Sequence, residues 1–241
     1  MKIIKTKSYD EMSEEAAKIF LECVNKKPNS VFGLATGSTP IGMYKLFIKW
    51  CKEGNMNFSK VSTVNLDEYV GLPATHDQSY RYFMNDNLFD HINIDKTKTD
   101  VPDGMAADID AECKRYDEVI KSKGKVDIQL LGLGQNGHIG FNEPSDAFSE
   151  GTNVVTLTES TREANKRFFK SIDEVPKKAI TMGLGSILKA SKVVMVANGK
   201  AKADAVAMMV NGPISPKCPA SILRYHEDFV LVVDEEAASK I

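Results

Sequence analysis

The stretch Val126–Pro144, VDIQLLGLGQNGHIGFNEP, decides how the rest of the chain is read. Val126 to Leu131 is an apolar run of strand length that includes β-branched residues. It leads into Gly132, Gly134, Gly137 and Gly140, and among these glycines stand Asn136, His138, Asn142 and Glu143. Glycine lets a backbone turn tightly and approach a ligand closely. A buried strand that delivers an imidazole and a carboxyl to such a loop has the layout of an α/β site, where ligands bind beyond the carboxyl ends of the strands.

Gly132 to Gly137 also matches the pattern G-x-G-x-x-G of dinucleotide sites. That pattern needs a helix opening on the loop and an acidic residue roughly 20 positions further on. Here Gly140 and Pro144 oppose a long helix, and Glu159 is the only acid near the required spacing. The loop is therefore not read as a nicotinamide site.

Working outward, apolar runs predict strands at Ile3–Lys5, Val31–Ala35, Val61–Leu66, Asn153–Leu157, Ala179–Met182, Val193–Ala197 and Phe229–Val233. Helical spacing and stop signals predict helices from Ser8 (with Glu11 completing a capping box), and over 41–52, 79–91, 106–123, 160–170, 186–190 and 201–210. Strands and helices alternate with no repeat and no linker. The expected fold is one α/β domain over residues 1–241, a mainly parallel sheet with helices on both faces.

At 241 residues, 42% hydrophobic and 27% charged, the chain has the composition of a globular protein with a substantial core. A net charge of −2 argues against a broad nucleic-acid or membrane-binding surface. The N-terminus lacks the apolar core of a signal peptide, and no run reaches the ~18 apolar residues of a membrane span. Cys23, Cys51, Cys113 and Cys218 are scattered without a C-x-x-C pair and read as small hydrophobes, not as disulfides or zinc ligands. The expected location is the cytoplasm.

Three other places could carry chemistry. Thr36-Gly37-Ser38-Thr39-Pro40 joins a strand to a helix, with Thr39 as a natural N-cap and Pro40 as a natural first helical residue. Free backbone N–H groups, hydroxyls and the positive end of a helix dipole make such a turn an anion site, or simply a well-capped helix. Asp67-Glu68 stands at the end of the third strand, where acids either solvate a loop or supply a general base. Arg167 and Lys202 are cations on predicted helices; Lys202 falls in a first turn, an unfavourable place for a cation unless an anion lies nearby. The polar, aperiodic segment Ser145–Gly151 reads as a mobile piece over the site, and the aromatics of 79–91 read as packing.

With these pieces in order, the chain resembles the glucosamine-6-phosphate deaminases along essentially its whole length. The resemblance rests on Ala35-Thr36-Gly37-Ser38-Thr39-Pro40, Asn65-Leu66-Asp67-Glu68-Tyr69, the glycine loop through Phe141-Asn142-Glu143-Pro144, Asn165-Lys166-Arg167-Phe168-Phe169 and Gly199-Lys200-Ala201-Lys202-Ala203. The related 6-phosphogluconolactonases share parts of these segments, but the Leu-Asp-Glu-Tyr run and the Phe-Asn-Glu-Pro ending look like the deaminase.

The resemblance implies a Rossmann-like, modified doubly wound sheet and the conversion of glucosamine 6-phosphate to fructose 6-phosphate and ammonia, with no cofactor or metal. It implies that Gly37, Ser38, Thr39, Arg167 and Lys202 hold the phosphate. His138 would open the sugar ring as acid and base, oriented by Glu143 and Asn136, and Asp67 would carry the proton from carbon 2 to carbon 1. Some relatives have Asp in place of Asn136, and an amide can orient but cannot ionise. Larger relatives carry a C-terminal extension and form allosteric hexamers, whereas this chain ends at Ile241. The expectation is a monomer or small homo-oligomer without activation by N-acetylglucosamine 6-phosphate. The competing expectations are a 6-phosphogluconolactonase and a non-catalytic sugar-phosphate sensor.

Overall fold

A parallel sheet of seven strands carries the molecule, and a smaller antiparallel sheet of three leans on it. The structure, a computed structural model, describes residues 1–241 apart from Arg167 and Phe168, and only the backbone of Ser160 and Ala164. In chain order the strands are β1 (Lys2–Thr6), β2 (Val31–Leu34), β3 (Ser62–Asn65), β4 (Asp67–Tyr69), β5 (Thr99–Asp100), β6 (Ile128–Gly132), β7 (Asn153–Thr156), β8 (Lys178–Thr181), β9 (Val193–Ala197) and β10 (Phe229–Asp234). The helices are α1 (Tyr9–Lys26), α2 (Ile41–Lys52), α3 (Tyr80–Asn87), α4 (Ile109–Ser122), α5 (Glu159–Asn165), α6 (Leu184–Leu188) and α7 (Ala203–Asn211).

The large sheet runs β1-β10-β9-β6-β2-β3-β5, with every neighbouring pair parallel. β9 and β10 are buried along their whole length, as their unbroken apolar sequences require of strands covered on both faces. β1 lies at an edge, where Lys2 and Lys5 are exposed and oppose pairing with another chain. From β2 the chain first moves outward through β3 to β5, then returns to the other side of β2 as β6 and continues through β9 to β10. The loops leaving β2 and β6 therefore diverge at the switch point, where open α/β sheets place their ligands.

Helix α1 starts where the Ser8 hydroxyl accepts from the Glu11 amide, while the Glu11 carboxylate takes the Lys7 amide. Its buried stripe of Met12, Ala16, Ala17, Phe20 and Val24 packs on α2 and the sheet. Phe20 meets Phe32 of β2 edge-on, with ring centroids 5.1 Å apart. Burying a side chain of that size contributes about 1.5–3 kcal/mol, so this layer fixes α1 and α2 against β2.

The three-stranded sheet, in the order β4-β8-β7, was not expected from the sequence. Asp67, Glu68 and Tyr69 do not trail off β3 as a loop but pair antiparallel with Thr181, Ile180 and Ala179. The change of sheet takes one residue: the Leu66 amide donates to Leu34 of the large sheet, and its carbonyl accepts from Met182 at the end of β8.

Two other expectations are corrected. Thr39 does not cap α2, which begins after Pro40 without a side-chain cap; its hydroxyl bonds Asn198 Oδ1 at 3.1 Å instead. None of residues 145–151 lines the cavity described below. Ser149 bonds Asn142 and the Leu184 amide, and the Glu150 and Gly151 carbonyls press so closely on Gly183 that a Cβ there would meet them at 2.3–2.5 Å. Hydrogen bonds that a polarity pattern cannot reveal hold this segment down. The four cysteines are free, with Cys113 and Cys218 buried. Among the described residues, no helix is long and apolar enough to cross a membrane.

Candidate active site

A cavity of about 860 Å³ opens at the carboxyl ends of β2, β3 and β6. The loop after β2 and Lys202 form part of its wall. Asp67 and Tyr69 of β4, the glycine loop after β6, and Tyr80 and Phe83 of α3 form the rest, with Thr161 and Asn165 of α5. No helix opens on the glycine loop. The chain reverses there: the Gly137 amide bonds Gly134, the Gly134 amide bonds the His138 carbonyl, and Gly137 adopts φ 84°. Position 134 must lack a Cβ, because one would stand 2.3 Å from the His138 ring. The imidazole lies flat against bare backbone.

Four side chains form a chain of hydrogen bonds from that ring. His138 Nδ1 is 2.7 Å from Asn136 Oδ1, which also accepts the His138 backbone amide at 3.1 Å. Asn136 Nδ2 donates to Glu143 Oε2 at 2.6 Å, and Thr161 Oγ1 donates to Glu143 Oε1 at 2.8 Å. Burial alone would raise the Glu143 carboxyl. The approach of His138, whose Nδ1 is 3.5 Å from Glu143 Oε2, and the hydrogen bonds of Asn136 and Thr161 outweigh it and bring the carboxyl down to about 2. It is therefore a fixed anion at neutral pH.

Asp67 has the opposite character. It is 6% exposed, and no described residue donates a hydrogen bond to its carboxyl. Burial first and the charge of Glu68 second push it up to about 8. It faces the glycine loop closely: a Cβ on Gly140, which has φ 57°, would lie 3.1 Å from Asp67 Oδ2. Glu68 serves a different purpose. Its carboxylate accepts the amides of Tyr69, Tyr80 and Arg81, at 2.8, 2.9 and 3.0 Å, tying β4 to the first turn of α3. Burial raises it to about 6 despite these bonds. Of the two adjacent acids, which local spacing alone did not separate, Asp67 faces the cavity and Glu68 caps a helix.

The loop after β2 brings Gly37, at φ 95°, with Ser38 and Thr39 to another wall of the same cavity. Lys202 reaches it from the short 3-10 turn Lys200–Lys202 that leads into α7, where it is the N-cap residue and not part of the first turn. The turn that carries Lys202 is anchored by the last strand: the Gly199 amide donates to both oxygens of Asp234 at 3.0 Å, and the Ala237 amide also bonds that carboxylate. Arg167 lies outside the described residues. The structure thus brings Asp67, Asn136, His138, Gly37, Ser38, Thr39 and Lys202 to one cavity, with Glu143 directly behind Asn136. Among the described residues, no group of three or more His, Cys, Asp or Glu side chains converges as a metal-binding set.

Sequence reasoning missed Thr161 and the aromatic wall. Tyr80 stacks parallel on Phe141 with centroids 5.9 Å apart, and Tyr69 tilts against both. These rings pack, as expected, yet Tyr80 and Phe141 also line the cavity. A threonine inside a predicted helix carries no signal of its own; the apolar run around Phe141 could have been read as a sugar-facing wall.

A buried carboxyl of raised pKa and a histidine of fixed tautomer, facing one cavity beside a loop of anion-site type, have the makings of an acid–base enzyme site on an α/β fold. Comparison with known proteins agrees. A family model described as glucosamine-6-phosphate isomerases/6-phosphogluconolactonase matches residues 5–232. The chain is 58% identical to a glucosamine-6-phosphate deaminase of Clostridium perfringens (strain SM101), covering 99% of this chain and 98% of that one. It is 54% identical to another from Thermoanaerobacter sp. (strain X514), over 100% and 95% of the two chains. A solved monomeric glucosamine-6-phosphate deaminase superposes with a TM-score of 0.97 at 47% identity, with both chains fully covered. A 6-phosphogluconolactonase from Thermotoga maritima, at 19% identity and a TM-score of 0.76 over 97% and 99% of the chains, shares the fold alone. The chain belongs to the glucosamine-6-phosphate isomerase/6-phosphogluconolactonase family.

Proposed function

We propose that this chain is an enzyme that converts glucosamine 6-phosphate and water to fructose 6-phosphate and ammonia. Relatives above 50% identity carry the deaminase name, which favours this reading over lactone hydrolysis. The observation that carries it within the molecule is the pairing of Asp67 with His138. Lactone hydrolysis has no use for a second, buried carboxyl beside the histidine loop, and a sensor has no use for either.

In this reading the phosphate sits against the amides and hydroxyls of Gly37, Ser38 and Thr39, with Lys202 and Arg167 as its cations. With Nδ1–H committed to Asn136, His138 presents the lone pair of Nε2 to the sugar. It takes the anomeric proton and delivers it to the ring oxygen, and the Glu143 anion behind Asn136 offsets the charge that forms. In the open aldose the carbonyl acidifies the C2–H bond. Asp67, ionised, takes that proton to give an enolamine and returns it to carbon 1. The product is the 2-imine of fructose 6-phosphate; water adds to the imine carbon and ammonia leaves. A carboxylate in so dry a place is a far stronger base than an exposed one, and the return to carbon 1 restores it for the next turn.

The small sugar phosphate is the only partner this reading needs, and we propose a cytoplasmic monomer, in line with the monomeric structural relative. The test is to follow ammonia and fructose 6-phosphate together from purified protein and glucosamine 6-phosphate. One-to-one release that is lost in Asp67→Asn, with substrate still bound, is the expected result. Bound substrate with no ammonia from the unaltered protein would sink the proposal and make 6-phosphogluconolactone the next substrate to try.

A further inference from the structure

Tyr9, the first residue of α1, does not line the cavity, yet its phenol oxygen is wired into the loop that does. Tyr9 Oη is 2.8 Å from the Gly42 backbone nitrogen, 3.1 Å from the Thr39 carbonyl oxygen and 3.2 Å from that of Ser38. The oxygen accepts from Gly42, and its single proton is shared between the two carbonyls. Partners 29 to 33 positions away in sequence are thus gathered on one atom. The approach needs Gly42 as it is, since a Cβ there would stand 2.3 Å from Ser13 Oγ and 3.0 Å from the Tyr9 ring.

The direction of these bonds matters. Among the described residues there is no cis peptide, and across a trans peptide the C=O of one residue and the N–H of the next point opposite ways. Holding the Ser38 carbonyl against α1 therefore aims the Thr39 N–H away from α1, on the side where Ser38 and Thr39 wall the cavity. Without the phenol, only a long bond from the Ile41 amide (3.4 Å) holds the Ser38 carbonyl, and no described residue holds that of Thr39 turned outward. A carbonyl that swings into the cavity repels an anion where an N–H would bind it. Tyr44 acts in the same sense one step earlier, donating from Oη to the Ala35 carbonyl at 2.5 Å.

We propose that Tyr9 is a positioning residue for the phosphate group of the substrate, acting through the Ser38–Thr39 peptide. This rests on the reading of the loop after β2 as the phosphate site. Nothing in the proton-transfer chemistry involves Tyr9, so its contribution falls on binding and not on turnover.

The experiment compares Tyr9→Phe and Ser38→Ala with the unaltered full-length protein. It measures KM and kcat for glucosamine 6-phosphate and the inhibition constant of inorganic phosphate as a competitor. Loss of one hydrogen bond to the phosphate, that of the Thr39 amide, worth about 1 kcal/mol, predicts that Tyr9→Phe raises both KM and the phosphate inhibition constant by roughly three- to tenfold. The kcat should stay within about twofold. A fall in kcat with an unchanged phosphate constant would mark Tyr9 as merely structural and overturn the proposal. If Ser38→Ala raises both constants and Tyr9→Phe raises neither, Tyr9 is excluded while the phosphate loop stands. If neither variant changes either constant, the phosphate reading of the loop fails and the role of Tyr9 falls with it.

Discussion

His138 Nδ1 lies 2.7 Å from Asn136 Oδ1, and the amide that makes this contact can point only one way. Its other end meets the Glu143 carboxylate at 2.6 Å, which accepts hydrogen bonds and donates none, so Nδ2 faces Glu143 and Oδ1 faces the ring. The ring proton is then on Nδ1. Asn136 thus converts the fixed charge of Glu143 into a fixed tautomer of His138 without placing a second charge beside it. Asn136→Leu keeps the volume and removes these two bonds and the one from the His138 backbone amide. We expect kcat to fall by about 10²-fold, the usual scale of a positioned acid–base group, with KM within a few-fold of the original. Steady-state kinetics would show this, and an unchanged kcat would remove Asn136 from the mechanism.

Asp67 should give a stability signature as well as the catalytic one proposed for it. Its carboxyl is pushed up to about 8 in the fold and titrates near 3.9 when unfolded, so between those values the folded state holds a proton that the unfolded state has released. Stability from the neutral, buried acid is complete below about pH 4, declines as pH rises and is exhausted above about pH 8. Asp67→Asn stays neutral throughout. Its advantage over the unaltered protein should therefore grow from about pH 5 to pH 8.5, to a difference of the order of 2 kcal/mol or more. Denaturant unfolding at both pH values measures this; a constant difference would mean that Asp67 is not titrating in the range argued.

Much of this division of labour was legible beforehand. The glycine loop, the strand before it and the carboxyl at the end of β3 announced themselves because their backbone requirements and apolar periods are local. The second sheet did not, because β4 is three residues long and pairs with Thr181, Ile180 and Ala179, more than a hundred positions away. Nor could spacing tell Asp67 from Glu68. Adjacent residues on a strand point to opposite faces, and only the position of α3 decides which of those faces is a cavity and which a cap. Thr39 looked like an N-cap on local grounds and lost that role to a partner, Asn198, that arrives from the end of β9.

Glu68 tests whether the two acids are coupled. A glutamine there can still accept the Tyr69 and Tyr80 amides on one oxygen, but its NH₂ must face the Arg81 N–H that Glu68 Oε2 now accepts. Glu68→Gln should lower stability by about 1–3 kcal/mol, the cost of an unsatisfied buried donor. Burial is the larger cause of the raised Asp67 carboxyl and the Glu68 charge the smaller. Removing that charge should therefore move the acid limb of kcat/KM to lower pH, by less than about one unit. A pH–rate profile beside a thermal melt reads both effects, and an acid limb that stays in place would show that the two carboxyls do not sense each other.

Leu66 belongs to two sheets at once, bonded through its nitrogen to β2 and through its oxygen to the end of β8. The loop after β2 therefore hangs from one hydrogen-bonded plate and the Asp67 carboxyl from another, with a single residue as the hinge pin between them. In the proposed reading, the span from the substrate's phosphate to its reacting carbon is thus measured out by the backbone. A sugar phosphate of another length should then meet Asp67 at the wrong atom, which would make this joint a ruler for chain length as well as a fold feature.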